Sequence, residues 1–284
     1  MMKQSSTIAD VKAILGKNIH EGKTIGFVPT MGALHEGHLT LIRRAKQCND
    51  ICVSSVFVNP TQFNNIEDLA RYPRNLATDA AMLESNGCDL LFAPEVAEMY
   101  PQGEKEMLNL EFGMLDKVME GKFRPGHFNG VATIVHKLFD IIRPHKAYFG
   151  KKDYQQLAII RAMVRMLNLP VEIVGCETVR ESDGLAMSSR NLRLTEEERL
   201  LAPTIYHVLK QIRKQAGKSP VGDLETWAVN EIGKHEAFRV EYLEIGHKDS
   251  LLPLEDWTSL DHAVAFAAVF LGDVRLIDNL ELFS

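Results

Sequence analysis

The sequence predicts an α/β protein, with a doubly wound parallel sheet over residues 1–180 and a smaller α+β domain over residues 181–284. Three observations carry this. Short apolar, β-branched runs alternate with amphipathic helical patterns through the first part, the order expected of a parallel sheet covered by helices. The run ICVSSVFV, residues 51–58, is nearly all apolar or small, as a strand reads when both faces of its sheet are covered. Past residue 180 the alternation stops, and two helical patterns are followed by strand patterns.

Taken in order, residues 7–15 read as a short helix and 24–28 as a strand. Residues 38–47 place Leu39, Ile42 and Ala45 on one helical face. After the strand at 51–58 comes a polar loop, NPTQFNNIEDLARYPRN, then a helix ending at Leu83 and a strand in DLLFAP. MLNLEF, residues 107–112, is expected to be a further strand or an insertion, and EGKFRPGHFNG, residues 120–130, a glycine-rich loop. A helix over 130–142, a strand over 147–150, a helix over 153–167 and a strand over 171–175 complete the first domain. In the second, Thr195 caps a long helix whose first turn holds Glu196, Glu197 and Glu198. Another helix follows over 220–235, then strands over 239–245, 263–271 and 274–282, the last two joined by a hairpin signal at Gly272-Asp273.

The bulk properties narrow the function. A chain of 284 residues with 45% hydrophobic and 25% charged residues is ordinary globular material. Its net charge of −6 points away from nucleic acid, and an anionic substrate would need local cations or backbone N–H groups. The four cysteines, Cys48, Cys52, Cys88 and Cys176, form no CxxC pair or zinc pattern and are expected to be buried, reduced thiols in a cytoplasmic protein. No window is long and apolar enough to cross a membrane, and MMKQSSTIADVKAIL lacks the apolar run of a signal peptide.

The chemistry concentrates in FVPTMGALHEGHL, the turn between the first strand and the helix after it. The spacing Gly32-x4-Gly37 matches a Walker loop, but His38-Leu39 replaces the required Lys-Ser/Thr. A zinc HExxH needs histidines four apart, and His35 and His38 are three apart. What fits is an imidazole pair facing a nucleotide triphosphate: Gly37 admits the backbone close to a phosphate, and His38 lies near a helix N-terminus that favours anions. H-x-G-H resembles the HIGH signature of the nucleotidyltransferase superfamily. That superfamily implies a KMSKS-like partner downstream, which Met187-Ser188-Ser189-Arg190 matches; two hydroxyls and a guanidinium suit a pyrophosphate leaving group.

The motifs FVPTMGALHEGH, VFVNPTQF, ARYPR, RPGHFNGVATIV, AYFGKKDYQQL and AMSSRN together resemble the pantothenate synthetase (pantoate–β-alanine ligase) family over nearly the whole chain. The resemblance implies a Rossmann-like ATP-binding domain, a C-terminal lid domain and a homodimer. It implies joining of pantoate to β-alanine through a pantoyl adenylate, with ATP cleaved to AMP and pyrophosphate and Mg²⁺ required. It places Met31, Gly32, Ala33, Leu34, His35, Glu36, Gly37 and His38 along ATP, with His38 as proton donor, joined by Gly150, Lys151, Lys152, Asp153, Val179, Met187, Ser188, Ser189 and Arg190. It implies Gln62 and Gln156 as pantoate ligands, assisted by Asn59, while Arg124 in the RPGHF loop reads equally as a lid cation or an exposed loop arginine. Two positions depart from the family pattern: Lys151 stands where Glu or Gln is usual, and Thr78 where many relatives are acidic, which leaves the protein ligands of Mg²⁺ unknown. The competing readings are a nucleotidyltransferase that stops at the adenylylated or cytidylylated product, a tRNA-charging enzyme, and a non-catalytic nucleotide-binding module.

Overall fold

Along the strands of the first part, alternate residues point to opposite faces, and each face has its own core. The computed structural model describes residues 1–63, 66–103, 107–257 and 260–283. Strands β1 (Lys3–Ser5), β2 (Ile25–Thr30), β3 (Ile51–Val56), β4 (Leu90–Phe92), β5 (Lys146–Gly150) and β6 (Glu172–Cys176) form one parallel sheet in the order β1-β4-β3-β2-β5-β6. Around them run α1 (Ile8–His20), α2 (Glu36–Cys48), α3 (Ile66–Arg71), α4 (Leu76–Ser85), α5 (Val96–Met99), α6 (Met119–Phe123), α7 (His127–Ile142) and α8 (Tyr154–Met166). Ile25, Phe27, Val53, Leu90, Phe92, Ala147 and Phe149 face one core with Val11, Leu15 and residues of α7 and α8, where Phe27 meets Phe139 edge-on at 6.3 Å. Val28, Cys52, Leu91 and Tyr148 face the other, with Leu41, Ile42 and Ala45 of α2 and Leu83 of α4.

The strand order locates the site. From β2 the chain steps outward through β3 to β4, then returns to place β5 on the other flank of β2. The connections leaving the carboxyl ends of β2 and β5 therefore diverge, and such a switch point is where open α/β sheets hold ligands.

The chain divides into two compact units, Met1–Lys151 with Gln156–Glu177, and Lys152–Gln155 with Thr178–Ser284. The second contains α9 (Glu196–Leu201), α10 (Thr204–Gln215), α11 (Val221–Ile232) and an antiparallel sheet of β7 (Phe238–His247), β8 (Ala263–Leu271) and β9 (Val274–Glu281). Ile205, Leu209, Ile212, Leu224, Ala228 and Ile232 pack on Leu243, Ile245, Ala265, Ala267 and Val269. The expected hairpin is present: Leu271 pairs with Val274, and Gly272 supplies a φ of +53°.

Three expectations are corrected, and of the two readings of residues 107–112, strand or insertion, the strand is ruled out. Their backbone turns to α7, with Leu108 N–H donating to Thr133 Oγ1 at 2.9 Å and Leu110 N–H to Asn129 Oδ1 at 3.0 Å. The glycine-rich segment 120–130 is helical at both ends, in α6 and at the start of α7, with the chain reversing at Gly126, φ +78°. The long helix after Thr195 divides at Pro203, which has no N–H to continue α9; Thr195 and Glu198 do cap α9 reciprocally. Cys48 is exposed at the end of α2, while Cys52 and Cys88 are buried and Cys176 half-buried. Strand β1 was not expected: KQS has one buried residue and no apolar alternation. In the polar loop after β3, residues 64–65 lie outside the described residues; around them are a 3₁₀ turn, Pro60–Gln62, and α3.

Candidate active site

The turn between β2 and α2 is built on an unusual backbone. Gly32 and Ala33 both have positive φ, +84° and +51°, a conformation that glycine accepts and that costs alanine about 1 kcal/mol or more. Something must hold it, and that is Asp79 on α4. Its side chain is buried at 2% exposure, with Oδ2 accepting from Ala33 N–H at 3.0 Å and Oδ1 from Leu34 N–H at 2.9 Å. A Cβ on Gly32 would lie 2.8 Å from Asp79 Oδ2, so the carboxylate fits only beneath a glycine. Thr30 anchors the upstream side, donating to Ser55 O at 2.7 Å and accepting from Gly32 N–H at 3.3 Å.

The stapled turn delivers His35 as the N-cap of α2, with His38 one turn on. His35 Nδ1 accepts from Gly37 N–H at 3.2 Å, and His38 Nδ1 accepts from His35 N–H at 3.4 Å. Two imidazoles thus do what Ser and Glu do in an ordinary capping box. Because each Nδ1 accepts, each neutral ring carries its proton on Nε2, at the positive end of a 13-residue helix. The rings are 4.1 Å apart and tilted by 46°. Glu36 is ion-paired with Arg43, so its charge is offset beside the turn.

Next to this turn stands the 3₁₀ segment Pro60–Gln62. Gln62 Nε2 is 3.0 Å from Met31 Sδ, which places Gln62 beside the start of the turn. Asn59 is 1% exposed. Its Nδ2 donates to Gln62 Oε1 and Gly130 O, each at 3.2 Å, and its Oδ1 accepts from Tyr100 Oη at 2.8 Å and Thr61 Oγ1 at 3.1 Å. Asn59 therefore holds Gln62 in place. Helix α7 approaches this segment closely: a Cβ on Gly130 would overlap the Thr61 carbonyl oxygen. The Gln62 carbonyl lies 2.7 Å from His127 Nδ1 and accepts from Arg124 Nη2 at 3.5 Å. Arg124 also lies 3.9 Å from Glu120.

At the carboxyl end of β5, Gly150 leads into a 3₁₀ turn, Lys151–Asp153. The two lysines separate by environment. Lys151 Nζ pairs with Glu177 at 2.6 Å, whereas Lys152 Nζ is 3.8 Å from Asp153. Lys152 belongs with the second unit, where Asn279 Nδ2 donates to its carbonyl at 2.9 Å. Gln156, half-buried, sits in the first turn of α8.

In the second unit Met187 N–H donates to Val179 O at 3.0 Å, and Arg180 bridges to Ala186, which holds Val179 alongside the AMSSRN segment. Ser188 caps the 3₁₀ turn Ser189–Arg193, its Oγ accepting from Arg190 N–H at 3.2 Å, and Asn191 Nδ2 donates to Ala186 O at 3.0 Å. Beneath lies Arg180, forked onto Asp278 at 2.7 and 2.9 Å and stacked on the Tyr206 ring at 3.7 Å. Ser188, Ser189 and Arg190 remain half-exposed on this support.

Sequence reasoning did not find Asp79, Asn279 or the Arg180–Asp278 pair. Asp79 falls in the first turn of a helix, where an acid needs no special explanation. Thr78 is exposed, with its N–H taken by the Asn75 side chain.

A model of the pantoate-beta-alanine ligase family matches residues 3–281. Pantothenate synthetase of Porphyromonas gingivalis is 49% identical over 280 residues, covering 99% of each chain. The crystal structure of pantothenate synthetase from Thermus thermophilus superposes with a TM-score of 0.93 at 48% identity, covering 100% of both chains. The pantoate-beta-alanine ligase of Francisella tularensis, solved with beta-gamma ATP and beta-alanine, gives 0.82 at 36% identity, covering 99% of this chain and 97% of that one.

Proposed function

The chain belongs to the pantoate–β-alanine ligase family, and from that premise we propose how its residues divide the work of joining pantoate to β-alanine with cleavage of ATP. A carboxylate resists attack by an amine until its oxygen becomes a good leaving group. The pantoate carboxylate attacks the α-phosphorus of ATP and pyrophosphate departs. The β-alanine amine then attacks the pantoyl carbonyl carbon, the C–O bond to phosphate breaks, AMP leaves with that electron pair, and the nitrogen releases one proton to water as the amide forms. Neither step needs an amino-acid nucleophile, so positioning and charge stabilisation carry the catalysis.

The observation that carries this reading is the Asp79-stapled turn, whose two imidazoles have Nδ1 engaged by backbone and a proton on Nε2. In our assignment the Nε2–H groups of His35 and His38 hydrogen-bond phosphate oxygens as charge moves onto them, aided by the end of α2 and the backbone of Met31 to Gly37. Lys152 supplies the phosphate countercharge, because Lys151 is paired with Glu177. Ser188, Ser189 and Arg190 offer hydroxyls and a guanidinium to the departing pyrophosphate, with residues 181–284 serving as the lid, and the Val179 backbone meets adenine. Gln62 and Gln156 bind pantoate, whose hydroxyls and carboxylate suit an amide that both donates and accepts. Asn59 acts through Gln62.

Mg²⁺, when bound, would neutralise phosphate charge. Asp79 uses both oxygens on backbone N–H groups and Thr78 has no carboxylate, so the ion would ride on the nucleotide's own oxygens. A homodimer and a cytoplasmic location also belong to this proposal; among the described residues, no helix is long and apolar enough to cross a membrane.

The test is a product assay with ATP, Mg²⁺ and pantoate, with and without β-alanine, followed by mass spectrometry. AMP and pantothenate appearing together only with both substrates is the expected result. ADP in place of AMP would mean an acyl phosphate and would remove the role given to the HEGH turn.

A further inference from the structure

At the far end of the β7–β8 pair lies a cluster that the ligase reaction does not use. Strand β7 ends at His247, which is in register with Ala263, and Lys248 N–H extends the ladder by one bond to His262 O at 2.7 Å. The 3₁₀ turn Leu260–His262 swings the His262 ring over that of His247, centroids 5.0 Å apart and planes within 13°. The chain beyond His247 folds back at once, with Leu251 N–H donating to His247 O at 2.8 Å through a φ of +58° at Leu251. This brings the Asp249 carboxylate to 3.6 Å from His262 Nδ1.

Two features need explaining. His262 Nδ1 is shielded from solvent and makes no hydrogen bond among the described residues, a costly state for a ring nitrogen. His247 Nδ1 accepts a 3.2 Å bond from Asp249 N–H, a contact that its lone pair would exchange for an ion. One ligand-capable atom from each of His247, Asp249 and His262 lies within 4.8 Å of the others.

The geometry points to a binding site for a first-row divalent cation of the zinc type, held by His247, Asp249 and His262 with water completing the shell. Zn–N and Zn–O bonds of about 2.0–2.2 Å set tetrahedral edges of about 3.3–3.6 Å. The 3.6 Å separation between Asp249 and His262 already matches such an edge. Two imidazoles and one carboxylate favour zinc, cobalt or nickel over Mg²⁺ or Ca²⁺, which prefer all-oxygen shells. The ion would clip the end of β7 to the turn that leads into β8 and act on the stability of that strand pair.

The experiment is titration of the full chain with Zn²⁺ by calorimetry and with Co²⁺ by visible absorption, with no nucleotide present. Wild type is expected to bind one ion per chain tightly enough to raise its thermal midpoint, and Co²⁺ to show the intense bands of a four-coordinate site. Asp249→Asn and His262→Gln should each weaken binding at least tenfold. A His35→Ala/His38→Ala double variant, which removes the other histidine pair, should bind the ion as wild type does. Binding lost in that double variant but kept in His262→Gln would overturn the proposal, as would no binding by wild type. If the His262→Gln protein is unstable, Asp249→Asn decides alone, since that side chain is exposed.

Discussion

Replacing Asp79 with Asn tests the idea that the nucleotide turn is held from below. The variant keeps the volume beneath Gly32 but leaves one acceptor where there were two, and places an NH₂ against a backbone N–H. In the wild type both bonds, 3.0 and 2.9 Å long, run from a buried carboxylate to backbone donors. Hydrogen bonds to a charged group are worth about 1.5–3 kcal/mol each and neutral ones about 1. Losing one and neutralising the other should therefore cost about 3 kcal/mol. Urea unfolding should show this as a lower midpoint at unchanged slope. Because the same turn sets the direction of His35 and His38, kcat/KM for ATP should fall at least tenfold, about 1.4 kcal/mol of lost transition-state stabilisation. KM for β-alanine should be unaffected. If Asp79 were instead a ligand of Mg²⁺, excess Mg²⁺ would restore the activity of Asp79→Asn. Such a rescue, or a variant as stable as the wild type, would refute the staple.

Three further outcomes are expected. His38→Ala and Lys152→Ala should fold normally, judged by circular dichroism, yet lose at least about 100-fold in kcat, as when a charge-stabilising donor is removed; wild-type turnover would cancel the role of that residue. Burial raises the Glu225 carboxyl above its ordinary 4.5, although Ile245 N–H donates to it. Since the folded protein holds that proton more tightly, the group's stabilising contribution is full below pH 4.5 and is lost as pH rises through the raised value. The stability of wild type should thus decline relative to Glu225→Gln over that window in urea melts, and parallel curves would contradict it. Alkylating the native protein should label exposed Cys48 ahead of buried Cys52 and Cys88, whose thiols lie within the sheet core, and leave ligase activity intact; rapid inactivation would show that a thiol matters.

The legible part of this protein was what local chemistry dictates. The doubly wound pattern, the hairpin at Gly272-Asp273 and the HEGH turn each depend on residues adjacent in sequence. The parts that were not legible depend on distant partners. Residues 107–112 have the apolar content of a strand, but their N–H groups find Thr133 and Asn129 on α7 before any strand edge. Asp79 reads as a solvated helix-start acid until the fold places it under Ala33, 46 positions away. Asn59 and Gln62 stand in VFVNPTQF, where the family resemblance implies a pantoate ligand and its assistant but not the contacts that hold them. The fold makes one the support of the other, because Tyr100, Thr61 and Gly130 saturate Asn59. Pro203 lies inside the helical pattern that Thr195 opens and divides it, since it has no N–H to continue α9.

The bond from Asn279 to the Lys152 carbonyl bears on how this chain can be recombined. Lys152 to Gln155 lie in the middle of the sequence yet cohere with its last hundred residues. A chimera that exchanges the C-terminal portion as a cassette would carry a foreign β9 to a native lysine, and the donor opposite that carbonyl would have to match. Crossover points for family shuffling are therefore better placed so that residues 152–155 and the strand bearing Asn279 come from one parent, a constraint that a cut at the Glu177–Thr178 boundary between the units breaks.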